Sequence, residues 1–211
     1  MDSSNPQQEQ NPLKSQIVLA VIGDVDSGKS TTTAHLLCQL GVIDKALIDN
    51  AKAQAADHGN KSLKYAFILD KLKSEQDQCM TINNSYSSFE STRHHFTIID
   101  VPGHRDRLKN MLTGASQADA AILIVSAISN EFESGFSRYG QTRDHALLAF
   151  GLGIKQLIVC VNKMDDLTVN WSETIFTERK QKVSLCLEKI GYDPAKSTFV
   201  PISGLTGQNL M

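Results

Sequence analysis

A single α/β domain built on a mostly parallel sheet is the fold this sequence predicts, and two observations predict it. Five short runs, rich in β-branched residues and apolar on both faces, punctuate the chain: Ile17–Ile22, Phe96–Asp100, Ala120–Ala127, Leu157–Asn162 and Phe199–Ser203. Runs of this kind fit parallel strands covered by helices on both sides, whereas half-exposed strands alternate. Between them lie segments with helical spacing, and strands that alternate with helices make a parallel sheet with crossover connections.

Taken in order, residues 1–12 are polar, hold two prolines and have no apolar residue after Met1. Residues 1–15 are therefore expected to form a disordered arm, with order from Gln16. Ile17–Ile22 is the first strand, ended by Gly23. Gly28–Leu40 carries Leu36, Leu37 and Leu40 and reads as a helix. Residues 41–85 hold a second helical pattern, Ser62–Gln76, with Tyr65, Ile68, Leu69 and Leu72 at i, i+3, i+4 and i+7. This stretch has no evident core strand and reads as a mobile insertion. Ser85–Ser91 alternates and suits an edge strand. A helix begins near Thr142, where Arg143 and His145 read as residues that cap and solvate it. The last helix, Ser172–Ile190, places Val183, Leu187 and Ile190 on one stripe and ends at Gly191.

The 211 residues suffice for one domain with a real core. Lys+Arg 21 against Asp+Glu 23 leaves a net charge of −2, which excludes a polybasic surface for nucleic acid or anionic membrane. No apolar run approaches the ~18 residues of a membrane span, and no signal peptide opens the chain. Cys38, Cys79, Cys160 and Cys186 are far apart and show no metal-ligand spacing. A soluble, cytoplasmic protein is expected.

Four motifs carry chemistry. Gly23-Asp24-Val25-Asp26-Ser27-Gly28-Lys29-Ser30, followed by Thr31, matches G-x-x-x-x-G-K-[ST] between a strand and a helix. Gly23 and Gly28 let backbone N–H groups turn inward around a phosphate chain, Lys29 reaches the β and γ phosphates, and the Ser30 hydroxyl suits Mg²⁺. Asp100-Val101-Pro102-Gly103-His104 ends an apolar strand; Asp100 can hold a water on Mg²⁺, and the Gly103 N–H can meet a γ phosphate. Taken alone, it reads as an ordinary Pro-Gly turn. Asn162-Lys163-Met164-Asp165 also ends a strand. Asp165 can accept from guanine N1–H and the exocyclic amine, Lys163 lays its stem along the base, and Asn162 can tie loops together. Adenine would leave that carboxylate unpaired. Ser203-Gly204-Leu205 is the weakest motif, since Ser-Gly is above all a turn signature, yet it could offer N–H groups to guanine O6. All four fall in order at carboxyl ends of strands, where ligands bind in open α/β sheets. Guanine nucleotide binding follows.

These motifs, with Gly41–Lys45, Ser62–Glu75, Phe96–Asp106, Ser116–Ala127 and Gly140–Val159, resemble the translational GTPases of the elongation factor 1-alpha class over essentially Gln16–Met211. Asp165–Ser172 and Ser203–Leu210 look more like the sister GTPases of termination and ribosome rescue. The resemblance implies a P-loop NTPase G domain over residues 16–211 that binds GTP or GDP with Mg²⁺ and hydrolyses GTP, with low intrinsic activity. It implies that Thr81 joins Ser30 and Asp100 around Mg²⁺ and that His104 orients the attacking water. It also implies the ribosome and an exchange factor as partners of a monomer. The family follows its G domain with two β-barrels that make much of the tRNA contact. Against that pattern this chain lacks the barrels and a last helix after Phe199–Ser203, so aminoacyl-tRNA is a partner only if barrels exist elsewhere. Some apolar sheet surface is then expected to be exposed.

The departures from the family cluster near the switches. Asp24 stands where the family has His, and a carboxylate near phosphates is unfavourable unless it points away or meets a cation. Gln76-Asp77-Gln78-Cys79 replace an Arg-Glu-Arg-Gly run, and Arg107 replaces a Phe. They leave open a slow or non-hydrolysing regulatory paralogue beside the elongation reading, as Asp165–Ser172 leaves open the termination or rescue branch.

Overall fold

The computed structural model describes residues 14–57, 65–69, 81–137 and 140–211. Six strands, β1 (Ser15–Gly23), β2 (Ser85–Glu90), β3 (His94–Asp100), β4 (Ala120–Ser126), β5 (Gln156–Asn162) and β6 (Thr198–Pro201), form one sheet in the order β2-β3-β1-β4-β5-β6. Every neighbouring pair is parallel except β2–β3. The alternating segment is thus the antiparallel edge, and the two-sided apolar runs occupy the interior and far edge. β1 opens at Ser15, ahead of the expected Gln16, and the Lys14 side chain pairs with Glu90 of β2 at 2.7 Å, so the last residue of the expected arm belongs to the sheet and the one before it is tied to it.

The helices are α1 (Lys29–Gln39), α2 (Lys45–Asp57), a single turn α3 (Ala66–Leu69), α4 (Leu108–Ala115), α5 (Ser129–Phe136), α6 (Gln141–Gly151) and α7 (Glu173–Ile190). Of the expected helix 62–76, only the turn at 65–69 lies within the described residues; Leu72 and the run Gln76–Cys79 lie outside them. On one face of the sheet, α4, α6 and α7 cover a core of Ile22, Ile99, Met111, Leu123, Val159, Val161 and Leu187. On the other, α1 and α3 close over Val21, Ile98, Ile124 and Cys160. α7 is capped as its sequence dictates: the Ser172 hydroxyl accepts from Ile175 N–H, and Gly191 turns left-handed at φ 116°.

After β6 the described chain runs in turns to Met211. Ile158 of β5 is 37% exposed, and Ile122 opposite it on β4 and Val200 on β6 are half-buried, so part of the α1-side sheet is open. No described helix is long and apolar enough to cross a membrane.

The candidate nucleotide site

All four motifs meet at the carboxyl edge of the sheet, because β1, β3, β5 and β6 run parallel and each ends in one of them. The loop after β1 folds on itself around Lys29. Lys29 Nζ donates to the Asp24 carbonyl at 2.6 Å, and the Ser27 hydroxyl donates to the same carbonyl at 2.9 Å. Gly28 turns at φ 92° into α1, and a Cβ there would run into the Asn162 amide, so only glycine lets the two loops approach. Val25 and Asp26 form the turn between, Asp26 itself at φ 58°, and Thr31 lies in the first turn of α1.

Lys29 is almost wholly buried. Burial draws its ammonium below the ordinary lysine range, while the carboxylates of Asp100, Asp24 and Asp26 oppose that shift. Gly103, after β3, packs against the ammonium so closely that a Cβ would collide with it. A buried ammonium held by a backbone carbonyl at the amino end of a helix is suited to a polyphosphate.

Ser30 gathers the oxygens. Its hydroxyl donates to Asp100 Oδ2 at 2.6 Å and lies 3.0 Å from Thr81 Oγ1. Three oxygen donors and no nitrogen or sulfur match the preference of Mg²⁺, so the residues present fit that ion. His104 is half-exposed and turned toward its own chain: its Nδ1 accepts from Asp106 N–H at 3.3 Å and caps the short 3₁₀ turn at Arg105–Arg107.

Asn162 joins the loops. Its Nδ2 donates to the Ser27 carbonyl at 2.8 Å, and its Oδ1 accepts from Gly204 N–H at 2.8 Å. Met164 N–H donates to the Ile202 carbonyl, so the 162–165 and 203–205 loops are stitched side by side. Ser203 is buried, with its hydroxyl accepting from Thr206 N–H, and Leu205 at the loop tip is exposed. Asp165 is half-buried and has no hydrogen-bond or ionic partner among the described residues. Between these loops lies a carboxylate with its acceptors unused, beside backbone held by Asn162.

Three features were not read from the sequence. The first is the direction of Asp24. Its carboxylate turns from the Lys29 side of the loop and accepts from Val25 N–H and from Gln141 N–H, at the first residue of α6. Burial raises its pKa, and those two amides and Lys29 pull the other way. The substitution thus leaves the cradle free of a second inward carboxylate; of Asp24, it is the carbonyl that faces Lys29.

The second is Glu131 of α5, which holds Lys163 Nζ with both carboxylate oxygens at 2.7 and 2.8 Å. Lys163 sits at φ 64°, so its stem is fixed at both ends. Nothing local to Asn162–Asp165 announces a partner 32 residues away.

The third is His145, which does not solvate α6. It is fully buried, and Gly23 N–H donates to its Nδ1 at 3.2 Å, so it braces the first glycine of the phosphate loop. The signal was present: Thr142, His145, Ala146 and Ala149 fall at i, i+3, i+4 and i+7 and are the buried face of α6. Burial, reinforced by Lys29, pushes its pKa down to about 3. Below the ordinary value of 6.5 the unfolded chain takes up a proton that the folded chain refuses, so stability falls as pH drops from 6.5 toward 3. Between pH 7 and pH 5 this costs about 2 kcal/mol. His145→Gln keeps an acceptor for Gly23 N–H and is expected to remove that acid-linked loss; urea melts at the two pH values check it, and an equal loss in the variant would sink the assignment.

With this geometry in place, the likeness to known proteins is direct. The elongation factor Tu GTP binding domain family matches residues 14–211. The chain is 54% identical over 198 residues to elongation factor 1-alpha of Tetrahymena pyriformis, covering 94% of this chain and 46% of that protein. It is 52% identical to that of Euglena gracilis, covering 94% and 44%. Among solved structures, Sup35 complexed with GDP superposes with a TM-score of 0.68 at 31% identity, over 99% of this chain and 42% of that one. The GTP-bound Ski7 GTPase-like domain of S. cerevisiae shares the fold, with a TM-score of 0.79 at 22% identity, over 94% and 45%. The chain thus spans a little under half the length of the curated relatives it matches. A phosphate loop, an oxygen cluster and a joined pair of base loops, set at one sheet edge in this order, make the chain a member of the elongation factor Tu GTP-binding domain family.

Proposed function

We propose that this chain binds GTP and GDP with Mg²⁺ and hydrolyses GTP as the G domain of an elongation factor 1-alpha-like translation factor, working on the ribosome in delivery of aminoacyl-tRNA. The observation that carries the reading is the meeting of Lys29, the Ser30–Asp100–Thr81 oxygens and the Asn162-braced Asp165 on one edge.

In this reading the Gly23–Thr31 loop wraps the phosphates with the backbone N–H groups its own bonds leave over, those of Gly23 and Val25 going to His145 Nδ1 and Asp24 Oδ1, and Lys29 neutralises charge at the β and γ positions. Ser30 and Asp100 hold Mg²⁺ directly or through water, and Thr81 joins them when the γ phosphate is present. Held by these oxygens, Mg²⁺ would supply positive charge against the phosphates. Gly103 brings its N–H against the γ phosphate. Asp165 accepts from the guanine N1–H and amine, Lys163 covers the base plane with Glu131 fixing its far end, and Leu205 presents its N–H to O6; the N–H groups of Ser203 and Gly204, expected there too, go instead to the Gln208 carbonyl and to Asn162 Oδ1. Met164 is buried beneath that loop and anchors it.

His104 orients the water for in-line attack. Phosphoryl transfer needs a placed nucleophile more than a strong base. In the form described here His104 caps its own turn, so it must swing to act, and ribosome docking supplies that movement. An exchange factor and aminoacyl-tRNA complete the cycle, the latter through surfaces beyond this domain.

Trp171, the only tryptophan, donates its backbone N–H to the Met164 carbonyl beside the base loop and packs its half-buried indole against the core there, which makes its fluorescence a titration signal for GDP. Single-turnover GTP hydrolysis is then measured with and without ribosomes. The expected result is a stimulated rate that His104→Ala lowers roughly 100-fold or more while GDP affinity holds. A ribosome-independent rate would favour a passive GTP-binding module instead, and absence of GDP binding would overturn the reading outright.

A further inference from the structure

Beside the base loop, on the α1 side, sits a contact that the nucleotide chemistry does not use. Tyr65, at the head of α3, stacks on His35 of α1, with ring centroids 4.0 Å apart and planes 14° from parallel. Its hydroxyl lies 3.1 Å from His35 Nε2. With the rings so nearly parallel, the hydroxyl sits over the ring nitrogen rather than in its plane, so the stack carries most of this contact.

His35 passes the contact on. Its Nδ1 is 2.8 Å from the Gly204 carbonyl, which can only accept, so Nδ1 carries the proton and donates. Gly207, closing the same loop, approaches the imidazole so tightly that a Cβ would stand 2.6 Å from His35 Cε1. The loop therefore cannot move toward α1 without moving the ring. From Gly204 the connection continues through its N–H to Asn162 Oδ1, and from Asn162 Nδ2 to the Ser27 carbonyl of the phosphate loop. Leu69, buried in the α1-side core, and Ile68, packed against it, hold the 65–69 turn against α1.

We propose that Tyr65 and His35 form a relay that makes docking of the 65–69 turn set how firmly the 203–207 loop retains the guanine base. The relay rests on the guanine reading of Asp165 and Ser203–Leu205. Lifting Tyr65 off α1 frees the His35 ring, loosens its donor to Gly204 and slackens the loop without touching a group that meets the nucleotide. Tyr65 and His35 are then positioning residues, and the turn is a lever on nucleotide release.

The test is dissociation of a fluorescent GDP from the whole chain, with hydrogen exchange followed at residues 203–207. Tyr65→Ala is expected to speed GDP release about fivefold and to accelerate exchange in that loop. Tyr65→Phe keeps the stack and is expected to stay within about twofold of wild type. His35→Phe removes the donor to Gly204 and should speed release by about as much as Tyr65→Ala. Adding Tyr65→Ala to it should change release no further. Two results overturn the relay: unchanged release and exchange in Tyr65→Ala, or a full Tyr65→Ala effect that persists beside His35→Phe. If wild type fails to bind GDP, the guanine reading falls with it. Normal binding with an inert Tyr65→Ala removes the relay alone.

Discussion

Lys29→Ala is expected to weaken GDP binding by roughly 100- to 1000-fold, the scale of losing one partner from a buried, desolvated charge pair. The ammonium is nearly out of contact with water, and the loop closes on it through the Asp24 carbonyl. In a low-dielectric cradle one such cation does far more than at a surface. Lys29→Arg is not expected to rescue. Gly103 already touches the ammonium, and no room is left for a planar guanidinium. Titration through Trp171 fluorescence measures the change in both variants. Retained tight GDP binding in Lys29→Ala would mean that the loop is a plain strand-to-helix turn.

Asp165→Asn is the second large effect, and it changes the kind of base rather than the strength of the grip. A carboxylate accepts two hydrogen bonds from the N1–H and amine edge of guanine, whereas an amide accepts one and confronts the other with a donor. The variant is expected to lose roughly 100-fold in GTP affinity and to gain affinity for xanthosine triphosphate, which offers a carbonyl where guanine has its amine. Asp165 has no described protein partner whose loss would unfold the loop, so the effect should be separable from stability. Competition between the two triphosphates reads it directly. An unchanged preference would remove Asp165 from the base site.

Much of this was legible because the signals were local. Two-sided apolar runs named the parallel strands, and alternation in Ser85–Ser91 named the edge strand, which shows alternating exposure along β2; its antiparallel direction came only with the structure. The phosphate loop was legible for the same reason, since its glycines and Lys29 act within eight consecutive residues. What stayed hidden depends on distance along the chain or on backbone torsion. Glu131 meets Lys163 only because β4 and β5 are neighbours in the sheet. The carboxylate of Asp24 points away from the cradle because the amino end of α6 lies behind the loop. His145 was misread by residue type, as a histidine in a polar stretch, although its spacing with Thr142 and Ala149 already placed it inward.

The double hydrogen bond of Asn162 bears on how a nucleotide enters. Ser27 and Gly204, one from the phosphate half and one from the base half, are already tied to the same side chain by protein contacts alone. The two halves need not be ordered by the ligand, so little chain entropy is lost on capture. Arrival is then a docking step, limited by collision and orientation rather than by folding. Differences in affinity between nucleotides, or between this chain and its relatives, should accordingly be written in residence time.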